Sequence, residues 1–314
     1  MKKYVLKRII QLLPTLLGIS IITFFLIRLT PGEPAVAILG VNATPEKIAY
    51  INEIYGLDKP IFIQYFIWMK KVLFLDLGKS IFSNEDILKI LKTRIPVSFQ
   101  LAFFSIIISL IISIPLGIIS AVKRNSVIDN LGRIIAFFGV SMPGFWLGIV
   151  LIFVFAVLFP IFPLYGFESL FINFSAGFRH LFLPSITLGT SLAAIVTRMT
   201  RASMLEILSE NYINTARAKG LKERVVILRH AFRNTLIPVI TVIAIQLGYV
   251  LGGSVLIEVV FALPGLGRLM VDSIFQRDYP VVQIIVLFYA CIFVFINLLV
   301  DIIYTYLDPR ILYD

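Results

Sequence analysis

NTARAKGLKERVVILRHAFRNTLIP, residues 214–238, carries six Lys or Arg and one acid in a chain that is 59% hydrophobic. On either side the sequence turns apolar, at 181–197 and 235–257, each near the ~20 residues that a helix needs to cross a bilayer. Further runs at 9–27, 98–122, 134–159 and 281–304 bring the candidate spans to six. Composition agrees: 15% of the 314 residues are charged, against about a quarter in a soluble domain, with 27 Phe and a mean hydropathy of +0.97. The chain reads as an all-α membrane protein with six transmembrane helices, and the basic stretch as one of its connections.

The fourth run is the shortest, closed by Arg198 and Arg201 at the low end of the spanning range. Lys2, Lys3, Lys7 and Arg8 precede the first run as in a signal peptide. Its core is longer than an h-region and no small-x-small cleavage pattern follows before Pro31, so it is expected to stay as an anchor. With the N-terminus inside, sixteen of the 28 Lys and Arg fall on cytoplasmic segments, and nine of the others lie in one long loop from Arg28 to Arg94 that the positive-inside rule does not count. Both termini are therefore expected in the cytoplasm, and the net charge of +10 is chiefly a topology signal rather than a mark of nucleic-acid binding. Cys291 stands alone inside the sixth run and is expected to be a buried free thiol.

A soft boundary near 95 separates the anchor and an extracytoplasmic segment (1–95) from a core (96–303) and a short cytoplasmic tail (304–314). In the outer segment, Pro31, Gly32, Pro34 and Gly40 predict irregular chain, whereas the cluster Ile61, Phe62, Tyr65, Phe66 and Trp68 predicts short helices on the membrane face or on the other spans. Gly144 with Gly148 and Gly248 with Gly252 have the G-x-x-x-G spacing. It is read as helix packing within the chain, with a subunit interface or pathway lining as the alternative. Pro143 and Pro238 are expected to distort their helices.

Several near-motifs carry no chemistry. Gly78-Lys79-Ser80 resembles the end of a phosphate loop, but Leu73 stands where its first Gly is required. Gly189-Thr190-Ser191 has part of a serine elbow, yet Ala193 replaces the closing Gly, and His180 and His230 are the only bases of that kind. Two distant His and one Cys leave no transition-metal cluster. Asn42 and Asn173 head sequons short enough to arise by chance. An ion-coupled carrier keeps acids deep in its spans. Asp301, near the inner end of the last run, is the one candidate and reads as a solvated helix end.

The cytoplasmic connection 198–234 is long enough for structure of its own. Met204, Leu208 and Tyr212 predict one helical face, Gly220 a stop with Lys219 in the last turn, and Leu221, Val225, Leu228 and Phe232 a second apolar stripe. By physics alone two readings stand. The stripes lie against the protein's own spans or the lipid interface, or an apolar knob ringed by Arg217, Lys219 and Lys222 enters a groove on a soluble acidic partner.

Asn214, Thr215, Ala216, Arg217, Ala218, Lys219, Gly220 and Leu221, followed by Arg229, His230, Asn234 and Pro238, resemble the EAA loop of ABC importer permeases, in the branch that imports dipeptides, oligopeptides and nickel. GGSVLIEVVFALPGLGRLMVDSIFQRDYP at 252–280 and YGLDKPIFIQYFIWMKKVLFLDLGKS at 55–80 match the same branch in the expected order. The resemblance implies a type I ABC importer transmembrane fold in the bacterial plasma membrane. It implies a coupling helix near Asn214–Leu221 that enters a cleft on an ATPase, and a family motif near the outer gate comprising Gly252, Gly253, Glu258, Pro264, Gly265, Gly267, Arg277 and Asp278. Asn214 and Thr215 replace the usual Glu-Ala, as in the peptide branch, so no contact needing a carboxylate at 214 carries over. The implied partners are a second homologous permease, two ATPase subunits that hold ATP and Mg, an extracytoplasmic substrate-binding protein and membrane lipid. The implied cargo is di- or oligopeptides, with nickel or a metal chelate as the alternative. The chain itself is expected to bind no cofactor or metal and to catalyse nothing.

Overall fold

The computed structural model describes the backbone of residues 2–28, 36, 39, 43–55 and 58–307, with the side chains at 2–9, 26–28, 51, 53–55, 301 and 303–307 excepted. The expected irregularity at Pro31, Gly32, Pro34 and Gly40, the sequon at Asn42, the side chain of Asp301 and residues 308–314 of the tail lie outside the described residues. The helices are α1 Lys2–Arg28, α2 Pro45–Tyr55, α3 Ile61–Leu73, α4 Ile87–Val122, α5 Val127–Ser141, α6 Gly144–Leu158, α7 Phe174–Leu208, α8 Asn211–Ala218, α9 Glu223–Val260, α10 Leu266–Phe275 and α11 Tyr279–Leu307. Among the described residues the one sheet-like feature is a bridge between Lys79 and Asp86. Helix is the backbone that satisfies its own N–H and C=O groups where water is absent.

Among the described residues four helices, α4, α7, α9 and the 279–300 part of α11, are long and apolar enough to cross a bilayer, α5 with α6 makes a fifth if the bent pair counts as one, and Ile10–Phe25 of α1 is a shorter apolar stretch. The run 134–159, expected as one span, is two helices bent by 103°. Pro143 is the cause. It forces Met142 into extended backbone (φ −82°, ψ 129°) and opens α6 as its N-cap. Pro238, by contrast, is accommodated inside α9. The 17-residue fourth run is part of a 35-residue helix that continues past Arg198 to Leu208. Arg198 and Arg201 bound the apolar stretch without ending the helix, because arginine is a good helix former.

The chain forms two compact units, 1–96 with 265–298 and 97–264 with 299–314. In the first, α3 lies on α1 through Phe24, whose ring is 5.3 Å from Tyr65 and 5.6 Å from Trp68, while Ser20 Oγ and Tyr65 Oη are 2.7 Å apart. Ile87 and Leu91 of early α4, Leu266 of α10 and Val281, Ile284 and Ile285 of α11 form its apolar core.

In the second unit α7 is the central helix, and small residues let its neighbours approach. A Cβ on Gly189 would stand 2.6 Å from the Ser105 carbonyl of α4. Gly148 of α6 lies against Phe261 and Thr187, so the first G-x-x-x-G pair does pack within the chain. Gly252 has no atom within 4 Å of its Cβ position and is exposed, so the second pair does not. Cys291 is exposed rather than buried. The outward surface of the helices in both units is itself apolar, with Phe137, Phe153 and Tyr249 in the second and Phe295 in the first all more than half exposed, so an apolar residue in a span has no need to face inward.

Candidate coupling site

The basic stretch folds as a short helix clamped between two long ones. Met204 of α7 and Tyr212, expected on one helical face, are separated by a break at Ser209-Glu210, after which α8 starts. Ile213 and Ala216 of α8 are buried with Ala121 of α4, Met204 of α7 and Val226 and Ala231 of α9 in one apolar core. Asn234 Nδ2 donates to Tyr212 Oη at 2.7 Å and to the His230 carbonyl at 3.2 Å, and Thr235 Oγ1 donates to Met204 Sδ at 3.1 Å. Asn214, Thr215, Arg217, Ala218, Lys219, Gly220 and Leu221 form the outward side.

Gly220 ends α8 as expected. Its φ is +76°, its N–H donates to the Arg217 carbonyl at 2.9 Å and the Leu221 N–H to the Ala216 carbonyl at 3.4 Å, the paired bonds of a Schellman cap. The second stripe, however, is displaced. Leu221 and Leu228 are exposed, and the buried positions are Val226, Ala231, Thr235 and Val239. Residues 226–231 form a π turn, whose extra residue gives a first spacing of five, then four. A constant 3.6-residue period therefore selects the wrong face. Arg229 is exposed, and His230 and Pro238 are half-buried.

The chain's own acid also changes the charge pattern. Glu223, on the far side of Gly220, takes both Arg217 Nε (3.2 Å) and Nη2 (2.8 Å), and Lys219, Lys222 and Arg224 are further exposed cations beside the cap. Hydrogen bonding from Arg217 holds the Glu223 carboxyl below its ordinary 4.5, so the pair is complete at neutral pH and is lost as pH falls below that value. Both partners are substantially exposed, so Glu223→Gln is expected to lower the melting stability of the purified chain by less than about 1 kcal/mol at pH 7, with no difference from wild type below the titration.

The motif at 252–280 falls into two groups. In the second unit, Gly252 and Gly253 are exposed on α9. Glu258 is fully buried and accepts from Ser98 Oγ at 2.6 Å, and half-buried Pro264 follows the helix end. The turn just before Pro264 is made not by a glycine but by Ala262, at φ +51°, with Ala262 N–H on the Val259 carbonyl and Leu263 N–H on the Glu258 carbonyl. In the first unit, Gly265 is the extended N-cap of α10 and Gly267 lies buried within that helix. Arg277 is the left-handed residue closing α10 (φ +56°), and buried Asp278 accepts from Ser80 Oγ, from Ile81 N–H at 3.2 Å and from Phe82 N–H at 3.5 Å. Gly78-Lys79-Ser80 thus closes a loop, and Gly189-Thr190-Ser191 lies inside α7 with no strand-to-helix elbow.

Sequence reasoning missed Asp129, whose buried carboxylate holds Arg201 in a bidentate pair at 2.7 and 2.8 Å. Its one local signal was Ser126 three residues ahead, an N-cap that accepts from the Asp129 N–H at 3.2 Å.

Residues 113–313 match the family of binding-protein-dependent transport system inner membrane components, and residues 1–102 match the N-terminal domain of such membrane components. This chain belongs to that family. Over its whole length and theirs it is 42% identical to the dipeptide transport system permease protein DppB of Alkalihalophilus pseudofirmus and 41% identical to the glutathione transport system permease protein GsiC of Salmonella typhimurium. A chain of the MetNI methionine ABC transporter, solved in inward-facing conformations, is similar with a TM-score of 0.58 over 71% of this chain and 99% of that one, at 18% identity. The fold is that of an ABC importer permease. A member of the binding-protein-dependent family is a multi-pass inner-membrane translocation subunit, not an enzyme, and it works with an ATPase and a substrate-binding protein.

Proposed function

We propose that this chain is one of two homologous permease subunits of an ATP-driven importer of di- and oligopeptides, completed by two ATPase subunits that bind ATP and Mg and by an extracytoplasmic binding protein. The observation that carries this reading is full-length identity above 40% with both a dipeptide and a glutathione permease, since glutathione is itself a small peptide. That similarity favours peptides over nickel or a metal chelate as cargo.

In this reading α1, α4, the bent pair α5–α6, α7, α9 and α11 are the six spans of a type I importer, and both termini are cytoplasmic. The 27 residues of α1 reach about 40 Å at 1.5 Å per residue, enough to cross. The exposed side of α8, from Asn214 to Leu221, enters a cleft on the ATPase, with Lys219 and Lys222 meeting acidic groups. Ile213 and Ala216 root it in the core from which α7 and α9 rise, so a shift of the ATPase surface turns those helices. Each ATPase state biases the spans only by its differential affinity for this element. Tyr249 and Gly253 of α9 line a cleft of about 350 Å³ with Pro143, Phe145 and Ser191, open for a second permease or the pathway.

Affinity purification from its own membranes is expected to bring down an ATPase, and vesicles holding the complex to take up dipeptide only with binding protein and ATP. Uptake that proceeds without nucleotide and stops when ion gradients are dissipated would overturn the reading.

A further inference from the structure

We infer that Asp129 and Arg201 are positioning residues that lock the first turn of α5 to α7 in a single register, so that α5 and α6 follow the coupling helix rather than slide past it. The inference rests on the reading of α8 as the ATPase-docking element. Asp129 is fully buried and both its oxygens are committed: Oδ1 accepts from Arg201 Nε at 2.7 Å, and Oδ2 from Arg201 Nη2 at 2.8 Å and from the Asn125 N–H at 2.9 Å. Two elements distant in sequence, the 123–126 turn and the lower part of α7, therefore share one carboxylate.

The position of the pair gives it mechanical meaning. Arg201 lies one helical turn before Met204, and Met204 is packed with Ile213 and Ala216 of the coupling helix. Ala121, at the end of α4, belongs to that same core, so the turn after α4 is pinned by the core on one side and by Asp129 on the other. From there α5 runs straight into the 103° bend, beyond which α6 packs on α7 with Gly148 against Thr187.

Burial of an ion pair is a poor stabiliser compared with apolar residues of the same volume. A guanidinium fork on a carboxylate nevertheless has a direction that apolar packing lacks. The rest of the α5–α7 seam is built mainly of small residues, with Gly139 against Ala194 and Thr190 and with Ala136 and Ala193 close by, and small residues of this kind permit sliding. At its far end Ser191 Oγ donates to the Gly139 carbonyl at a long 3.5 Å, so the short, charged, two-pronged fork is the stronger directional contact and the one that fixes the first turn of α5.

The test uses the full complex in proteoliposomes, with peptide uptake and ATP hydrolysis measured separately. Arg201→Lys keeps the charge and loses the fork, and it is expected to lower peptide taken up per ATP hydrolysed by about tenfold or more, as is Asp129→Asn. The pair Asp129→Asn with Arg201→Gln removes both charges and is expected to assemble yet stay uncoupled, whereas Asp129→Glu is expected to recover part of the ratio. A normal ratio in Arg201→Lys or in the charge-free pair overturns the proposal, as does failure of all four to assemble, which would make the pair structural only. Gly220→Val serves as reference in the same assay. If it uncouples while Arg201→Lys does not, the lock alone is wrong; if it too is normal, the coupling role of α8 is wrong.

Discussion

Gly220→Val is expected to lower ATP-dependent peptide uptake by more than about tenfold while the complex still inserts into the membrane. The reason is conformational. No atom stands within 4 Å of the position a Cβ would take, so valine meets no clash; its difficulty is the φ of +76°. An L-residue in left-handed backbone costs about 1–2 kcal/mol, and a branched β-carbon adds to that. The chain can relieve the strain only by giving up the cap bonds to Arg217 and Ala216, which swings Leu221 and Lys222 and changes the angle between α8 and α9. The docking face is then misplaced although Ile213 and Ala216 hold the root of the helix. Gly220→Asn, which tolerates this backbone, is expected to keep most of the uptake. Wild-type uptake in the valine variant would show that neither the angle set at Gly220 nor the docking of α8 governs coupling.

Gly189→Leu is expected to prevent recovery of folded chain, and Gly189→Ala to destabilise it by about 1–3 kcal/mol. A Cβ at this position would stand 2.6 Å from the Ser105 carbonyl. The obstacle is backbone of the facing helix, so no side-chain rotation clears it, and α4 must move away from α7. Thermal unfolding of the detergent-purified protein measures the effect. Gly252→Ala, facing open space, is the control and is expected to leave the melting temperature of the isolated chain unchanged. If Gly189→Ala melts with wild type, the α4–α7 seam is not as tight as drawn.

The coupling region separates what local chemistry reveals from what it hides. Gly220 is legible because a helix stop depends on residues within one turn of it. The second stripe is misread because a π turn at 226–231 shifts the register by one residue, and no residue type in VILRHA announces that. Arg198 and Arg201 mark the end of an apolar stretch and not of a helix, because arginine is a good helix former and α7 continues to Leu208. The partner of Arg201, Asp129, lies 72 positions away in sequence, where no local rule reaches it. Cys291 is expected to be buried because it stands in an apolar run, a rule that fails where the surroundings of a helix are themselves apolar, and the G-x-x-x-G spacing of Gly248 and Gly252 marks a face that can pack closely without saying that this chain supplies the neighbour. Ala262 and Arg277 adopt left-handed backbone without being glycine, because the caps that close α9 and α10 outweigh their intrinsic preference.

From the sequence by itself come the helical class, the apolar stretches, the position of the basic element and the glycine that ends it. All of these follow from short-range rules: the length of hydrocarbon to be crossed, the inside-positive distribution of Lys and Arg, and backbone freedom at one residue. Only the tertiary structure decides which face of α9 is buried, how closely α4 approaches α7 and which carboxylate holds Arg201. Those depend on close approach between segments far apart in the chain, where a missing methyl group or one paired charge outweighs the local periodicity.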